Sequence, residues 1–248
     1  MAGNLLAGPY RMKKDRYFYS IVSFVMLMLT LVGFSKFLLH GRESDGGPIT
    51  PPILTLVIVH GVALLLWIVT FFVQSVLIAV KNRKLHMTLG WAGALVALIV
   101  VVTSPVMATK SVQLNQGVHL FGMSYSQFLL VMYTEIIAFT VFTALAIVYR
   151  RTPAVHRSMV VLATLSVVSG STSRIDLLNR VFGGVGWWGQ FGPTFVLGGA
   201  ILAARLILDR RLNKSFAGGY AALYGANFVA CAVAVGPWWT AMGARLTR

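Results

Sequence analysis

Four histidines, one glutamate and one arginine stand where an otherwise apolar chain leaves little room for them. His60, His86, His119 and His156 lie near the ends of four successive apolar runs, and Glu135 sits among Phe, Ile and Val. Ionisable groups in such surroundings are costly in lipid, so each is a candidate functional group with a partner to be found. His60, Trp67, Gln74 and Lys81 follow one another at intervals of seven residues. That spacing places them on one slowly drifting stripe of a helix. His60 lies about 10 Å inside its run at 1.5 Å per residue. It is equally suited to ligation and to a hydrogen bond with another helix. Glu135 is expected to pair with Arg174 of the next run, with Asp176 and Arg180 completing a charged cluster. The pair reads first as a structural bridge between helices and second as a proton or substrate site.

His86 and His156 adjoin Lys and Arg at helix starts, where polar side chains cap backbone groups and meet headgroups. A third basic turn, Arg210-Arg211-Leu212-Asn213, carries Asn in what reads as the same place. Asn caps a helix well and ligates metals poorly, so the expectation is a shared turn device first and a ligand pair second. His119 falls in the semi-polar stretch SVQLNQGVHLFGMSYS, which reads as an interfacial loop or a helix end.

Known catalytic patterns are absent. There is no HExxH, no paired carboxylates in one helix turn, and no arrangement supporting a Ser-His-Asp triad. The glycines of Phe182–Gly192 follow no strand and precede no Lys-Ser/Thr, so they form no nucleotide loop. The methionines fit apolar faces, and the lone Cys231 has no partner for a disulfide or a CxxC pair. No catalytic residue is assigned, and no metal site beyond a candidate haem iron discussed below.

The elements that must position these groups are membrane helices. The chain has 248 residues, 57% hydrophobic and 11% charged, with mean hydropathy +0.79; soluble domains carry about 25% charged residues. The net charge of +15 is confined to short clusters between apolar runs, which speaks against nucleic acid and for basic cytoplasmic loops. One integral membrane domain over residues 1–248 is expected, an all-α bundle of about seven spans, with six or eight as alternatives. The spans fall near 17–39, 53–80, 87–108, 126–149, 158–173, 188–208 and 216–243, each long enough for a hydrocarbon core of about 30 Å. The first is too long for a signal-peptide core and lacks a cleavage site, so it reads as a retained span. Arg11, Lys13, Lys14 and Arg16, and the turns at Lys81–Lys84, Arg150–Arg157 and Asp209–Lys214, share one side; Glu43 and Asp45 lie on the other. A cytoplasmic N-terminus in a bacterial inner membrane follows, with Arg245 and Arg248 counting mildly against it. Gly218, Ala222, Ala226, Ala230 and Ala234 form a small-residue ridge suited to close packing within the chain or between subunits.

Taken together, His60-Gly61, Trp67, Phe71, Gln74, Leu85-His86, Leu89-Gly90, Arg150-Arg151, Pro153, His156-Arg157, Met159 and Leu162-Ala163-Thr164 resemble the HG…W…FxxQ, LHxxLG and RRxPxxH(R/K)xM…LAT pattern of a family of uncharacterised bacterial multi-pass membrane proteins. The likeness runs from the second span to Trp238-Trp239 and departs at Asn213, where that family more often has histidine. A more distant likeness is to cytochrome b561-type proteins, which place one haem-ligating histidine on each of four consecutive helices. That resemblance implies haem b held by His60 and His119 on the outer side and by His86 and His156 on the inner side, with facing neutral imidazoles. It makes electron transfer the leading function. The alternatives are a non-catalytic accessory or assembly subunit of a membrane complex, and a small-solute carrier whose route is lined by His60, Gln74 and Glu135. The expected partners are the lipid bilayer, other membrane subunits or further copies of the chain, and no nucleic acid.

Overall fold

In the computed structural model, which describes residues 9–42 and 53–247, the chain is helical apart from one small hairpin. Arg11, Lys13, Lys14 and Arg16 have no described side chains, and Glu43, Asp45 and Arg248 lie outside the described residues. The helices are α1 (Pro9–Gly33), α2 (Ser35–His40), α3 (Leu54–Ala79), α4 (Arg83–Leu114), α5 (Tyr125–Val148), α6 (Pro153–Thr172), α7 (Asp176–Phe182), α8 (Gly186–Asp209), α9 (Lys214–Ala234) and α10 (Pro237–Leu246). Six of these, α3 to α6 with α8 and α9, are long and apolar enough to cross a membrane, and the apolar part of α1, Tyr17–Gly33, is a shorter seventh. The seven expected spans thus correspond to seven helices of a multi-pass membrane bundle. The side bearing the turns α3–α4, α5–α6 and α8–α9 is called inner below.

Boundaries shift where local chemistry overrides the apolar run. The run expected over 17–39 breaks at Phe34, after Gly33, and resumes as α2. The run expected over 216–243 breaks at Gly236-Pro237, because proline supplies no amide N–H and holds the preceding residue extended. The resulting α10 folds onto the outer start of α5. Trp239 Nε1 donates to the Ser126 and Gln127 carbonyls at 3.3 and 3.2 Å, and a Cβ on Gly243 would lie 2.7 Å from the Ser126 oxygen. His119 belongs to neither helix nor span. It begins a hairpin, β1 (His119–Leu120) against β2 (Met123–Ser124), turned by Phe121-Gly122. Both turn residues have positive φ, 52° and 82°, as a tight two-residue hairpin requires.

The centre of the bundle is α6, which packs against α1, α3, α5, α8 and α9. It is the least apolar of the six long spans and the most enclosed. In lipid this is the expected sorting: apolar side chains face the acyl chains, while small and hydroxylated ones sit between helices. Its Ser158, Thr164, Ser166 and Thr172 are all buried, and each returns its hydroxyl to a carbonyl of its own helix. Close approach is bought by glycines on its neighbours. A Cβ on Gly33 of α1 would stand 2.1 Å from the Ser171 oxygen, and one on Gly219 of α9 would stand 2.3 Å from Leu162. The contact on α9 therefore runs through Gly219, Leu223 and Asn227. Of the expected ridge, Ala230 and Ala234 are buried, but Gly218, Ala222 and Ala226 are exposed. Gly218, Ala222 and Ala226 each precede a residue of that contact row by one position, about 100° round the helix, and so face outward. Outward faces carry Leu95, Leu98 and Val102 on α4, Ile137 on α5 and Phe228 on α9, all more than half exposed, which is the surface a bilayer covers.

Candidate functional site

The polar groups singled out in the sequence separate into an inner and an outer layer. The inner one is set by how the helices begin. Asn82 caps α4, with its Oδ1 accepting from the Leu85 amide at 3.2 Å. Asn213 caps α9 in the same way, accepting from the Phe216 amide at 3.1 Å. Thr152 occupies the corresponding place before α6. The first backbone bonds of the three helices then match: His86 to Asn82, His156 to Thr152 and Ala217 to Asn213, at 3.1, 3.0 and 2.9 Å. The two histidines are therefore four residues past the cap and do not cap anything. Asn213 corresponds to Asn82 and Thr152, and the position matching His86 and His156 in the third turn is Ala217. The expectation that a shared capping device explains the inner histidines is corrected on this register.

Being at the same helical position on α4 and α6, the two imidazoles meet. Their ring centroids are 6.5 Å apart and their planes cross at 89°. His156 Nδ1 donates to the Ala146 carbonyl of α5 at 2.8 Å; a carbonyl only accepts, so Nδ1 carries a proton, and in the neutral ring Nε2 is left with the lone pair. The backbone of Gln74 lies beside the His86 ring, yet no hydrogen bond closes on the buried His86 Nδ1. Both ends of the Gln74 amide, Trp67 Nε1 and Thr143 Oγ1 are likewise buried without a hydrogen-bond partner. Gln74 and Thr143 are each five residues from the inner ends of α3 and α5, and His86 and His156 three residues from the starts of α4 and α6. All four fall within about 8 Å of the inner helix ends at 1.5 Å per residue. Native interiors leave few polar atoms unsatisfied, which makes the groups that share this depth with the two facing imidazoles the candidates for contact with a further group.

The outer layer holds His60, Glu135 and Arg174, but not in the expected pairing. Glu135 receives the Ser169 hydroxyl of α6 and makes no ion pair with Arg174. Arg174, just past the end of α6, turns back to donate to the Gly170 carbonyl and lies over the Phe34 ring at 4.7 Å. The guanidinium turns back to the residue beside Ser169 but bonds the Gly170 carbonyl in place of the Glu135 carboxyl. Asp176 and Arg180 are exposed on α7 and form no ion pair among the described residues. His60 Nδ1 is 3.0 Å from Thr103 Oγ1 of α4. His119 is exposed on the hairpin, with its Nδ1 3.2 Å from the Gly117 carbonyl, and the rings of His60 and His119 make no contact. Sequence reasoning did not single out Thr103, Thr143 or Ser169; single hydroxyls are frequent in membrane helices and only their helix partners distinguish these three. It also passed over Arg205 of α8, which pairs with Asp209 at 2.6 Å and lies over Phe18 and Tyr19 of α1.

Among the described residues no group of three or more His, Cys, Asp or Glu side chains is placed to hold a metal ion. Comparison with protein-family models, curated proteins and solved structures gives no match for this chain.

Proposed function

We propose that His86 and His156 of the inner layer would hold a b-type haem, and that the protein carries electrons in a bacterial inner membrane. The observation that supports this reading is the pair of imidazoles at one helical position, 6.5 Å apart. Two imidazoles at this separation could share one metal ion between their ring nitrogens. An edge-to-face contact of two rings also falls near this distance. What favours ligation is the hydrogen bonding: His156 is fixed by the Ala146 carbonyl in the tautomer that leaves Nε2 as a donor atom to a metal. The unpartnered Gln74 and Thr143 groups, at the same depth, would give a bound group polar neighbours. Bound haem supplies reversible one-electron transfer. The chain's own part is to orient the two rings from α4 and α6, hold the proton on His156 Nδ1 and keep lipid out of the inner layer.

In this reading the likeness to cytochrome b561-type proteins extends to the inner pair alone. His60 and His119 are not ligands, and one haem is expected per chain where four ligands would give two. The basic turns put the inner layer at the cytoplasmic face, with the N-terminus on that side. A carrier route through His60, Gln74 and Glu135 has less support, since the cavity that His60 lines includes neither of the other two. An accessory role in a larger complex is compatible with one haem. The test is the haem content of the full chain, purified after expression with ample haem supply. One haem per chain with a low-spin bis-imidazole spectrum is expected; a colourless protein refutes the reading.

A further inference from the structure

A second site lies in the outer layer, and it stands independently of the inner haem. Between the α1–α2 break and α3 there is a cavity of about 150 Å³, lined among others by Thr30, Phe34, Arg42, His60, Met107 and Arg174. The hydrogen bonds there fix the tautomer of the neutral His60 ring. Thr103 Oγ1 donates its one hydrogen to the Ile99 carbonyl at 2.7 Å, so it can only accept from His60 Nδ1 at 3.0 Å. His60 Nε2 is therefore a lone-pair acceptor, and it has no hydrogen-bond partner among the described residues. The cavity thus joins one nitrogen that needs a donor to two lining arginines, side chains whose several N–H groups favour oxyanions; one of Arg174's already donates to the Gly170 carbonyl. Its remaining wall, including Phe34, Leu64 and Met107, is apolar. Arg174 is two residues past the outer end of α6 and Arg42 two residues past the end of α2.

We propose that this cavity binds a phosphate monoester, with the ester's P–OH donating to His60 Nε2 and its anionic oxygens facing Arg174 and Arg42. A monoester offers a hydroxyl and oxyanions on one centre. A phosphodiester has no P–OH, and an ionised carboxylate has no donor at all. Two sources share this chemistry: the headgroup of a phosphatidic-acid-type lipid and free inorganic phosphate.

The test is thermal unfolding of the full chain in detergent with three probes at equal concentration: dioctanoyl phosphatidic acid, dioctanoyl phosphatidylglycerol and inorganic phosphate. Stabilisation by phosphatidic acid, with at least about tenfold weaker binding of phosphatidylglycerol, is the expected result. Binding of phosphatidic acid should fall by a similar factor in His60→Phe and in Arg174→Gln, and stay unchanged in His119→Ala. Equal stabilisation by inorganic phosphate, lost in the same variants, supports the site and identifies free phosphate as its source. Where His60→Phe does not fold, Thr103→Val serves instead: it releases the imidazole from its fixed tautomer and should narrow the gap between monoester and diester. Equal binding of the two lipids by the native chain, no stabilisation by any probe, or undiminished binding in the variants overturns the proposal.

Discussion

Replacing Asn213 separates the cap from the site more cleanly than any other change in the molecule. Its Oδ1 accepts from the Phe216 amide at 3.1 Å and its Nδ2 donates to Ser158 Oγ at 3.0 Å. Asn213→Ala loses both. Removing an N-cap side chain costs about 1 kcal/mol, and a neutral hydrogen bond contributes about 1 kcal/mol net. Ser158, 1% exposed, keeps a partner through its own bond to the Ala154 carbonyl at 2.8 Å, so no further penalty for an orphaned hydroxyl is added. The expected loss is about 2 kcal/mol, roughly a thirtyfold change in the unfolding equilibrium. Asn213→Asp keeps the acceptor for Phe216 and loses only the donor to Ser158, so about half that loss is expected. Reversible unfolding in mixed detergent micelles, followed by tryptophan fluorescence, measures both. Equal losses in the two variants would refute the cap geometry. A change in the inner imidazoles' spectral signature in either would refute the register that sets Asn213 apart from His86 and His156.

Three further outcomes follow from contacts elsewhere in the bundle. Gly33→Ala puts a Cβ within 2.1 Å of the Ser171 oxygen on α6; a loss of about 1–3 kcal/mol is expected, whereas Gly218→Ala, with nothing within 4 Å, should be neutral in the same unfolding assay. A double-mutant cycle on Glu135 and Ser169 should return a coupling of about 1 kcal/mol, while one on Glu135 and Arg174 should return less than about 0.5 kcal/mol; the reverse order would restore the ion pair that the structure does not make. Trp239→Phe removes the indole donor to the Ser126 and Gln127 carbonyls, so α10 should become cleavable by protease in detergent before the rest of the bundle unfolds.

Helix existence and depth were legible in the chain because lipid imposes a length and a composition on anything that crosses it. Pairing was not. Leu85-His86 and Val155-His156 could be aligned with Leu212-Asn213 by their basic neighbours, but the cap is defined by backbone dihedrals and sits at Asn82, Thr152 and Asn213. A shift of four residues carries a side chain one turn along the helix, from the terminus into the interior, and reverses what Asn213 implies about the histidines. Glu135 was recognised as a buried carboxylate, yet its partner is Ser169, one of several serines on α6 that only packing tells apart. His119 was misleading for the opposite reason. Its polar, glycine-containing surroundings are the signature of a turn, and Phe121-Gly122 makes one. Breaks at Gly33 and at Gly236-Pro237 were visible as residue types, but apolar continuity on either side concealed them.

The central claim is that His86 and His156, and no other histidines, hold a one-electron centre at the inner end of the bundle. The most direct measurement is the reduced-minus-oxidised visible spectrum of the purified full chain and of four single variants: His60→Ala, His86→Ala, His119→Ala and His156→Ala. A bis-imidazole haem signal in the native chain is expected, lost or converted to high spin in His86→Ala and His156→Ala and retained in the other two. A native chain without a Soret band, or a signal that survives both inner substitutions, would contradict it.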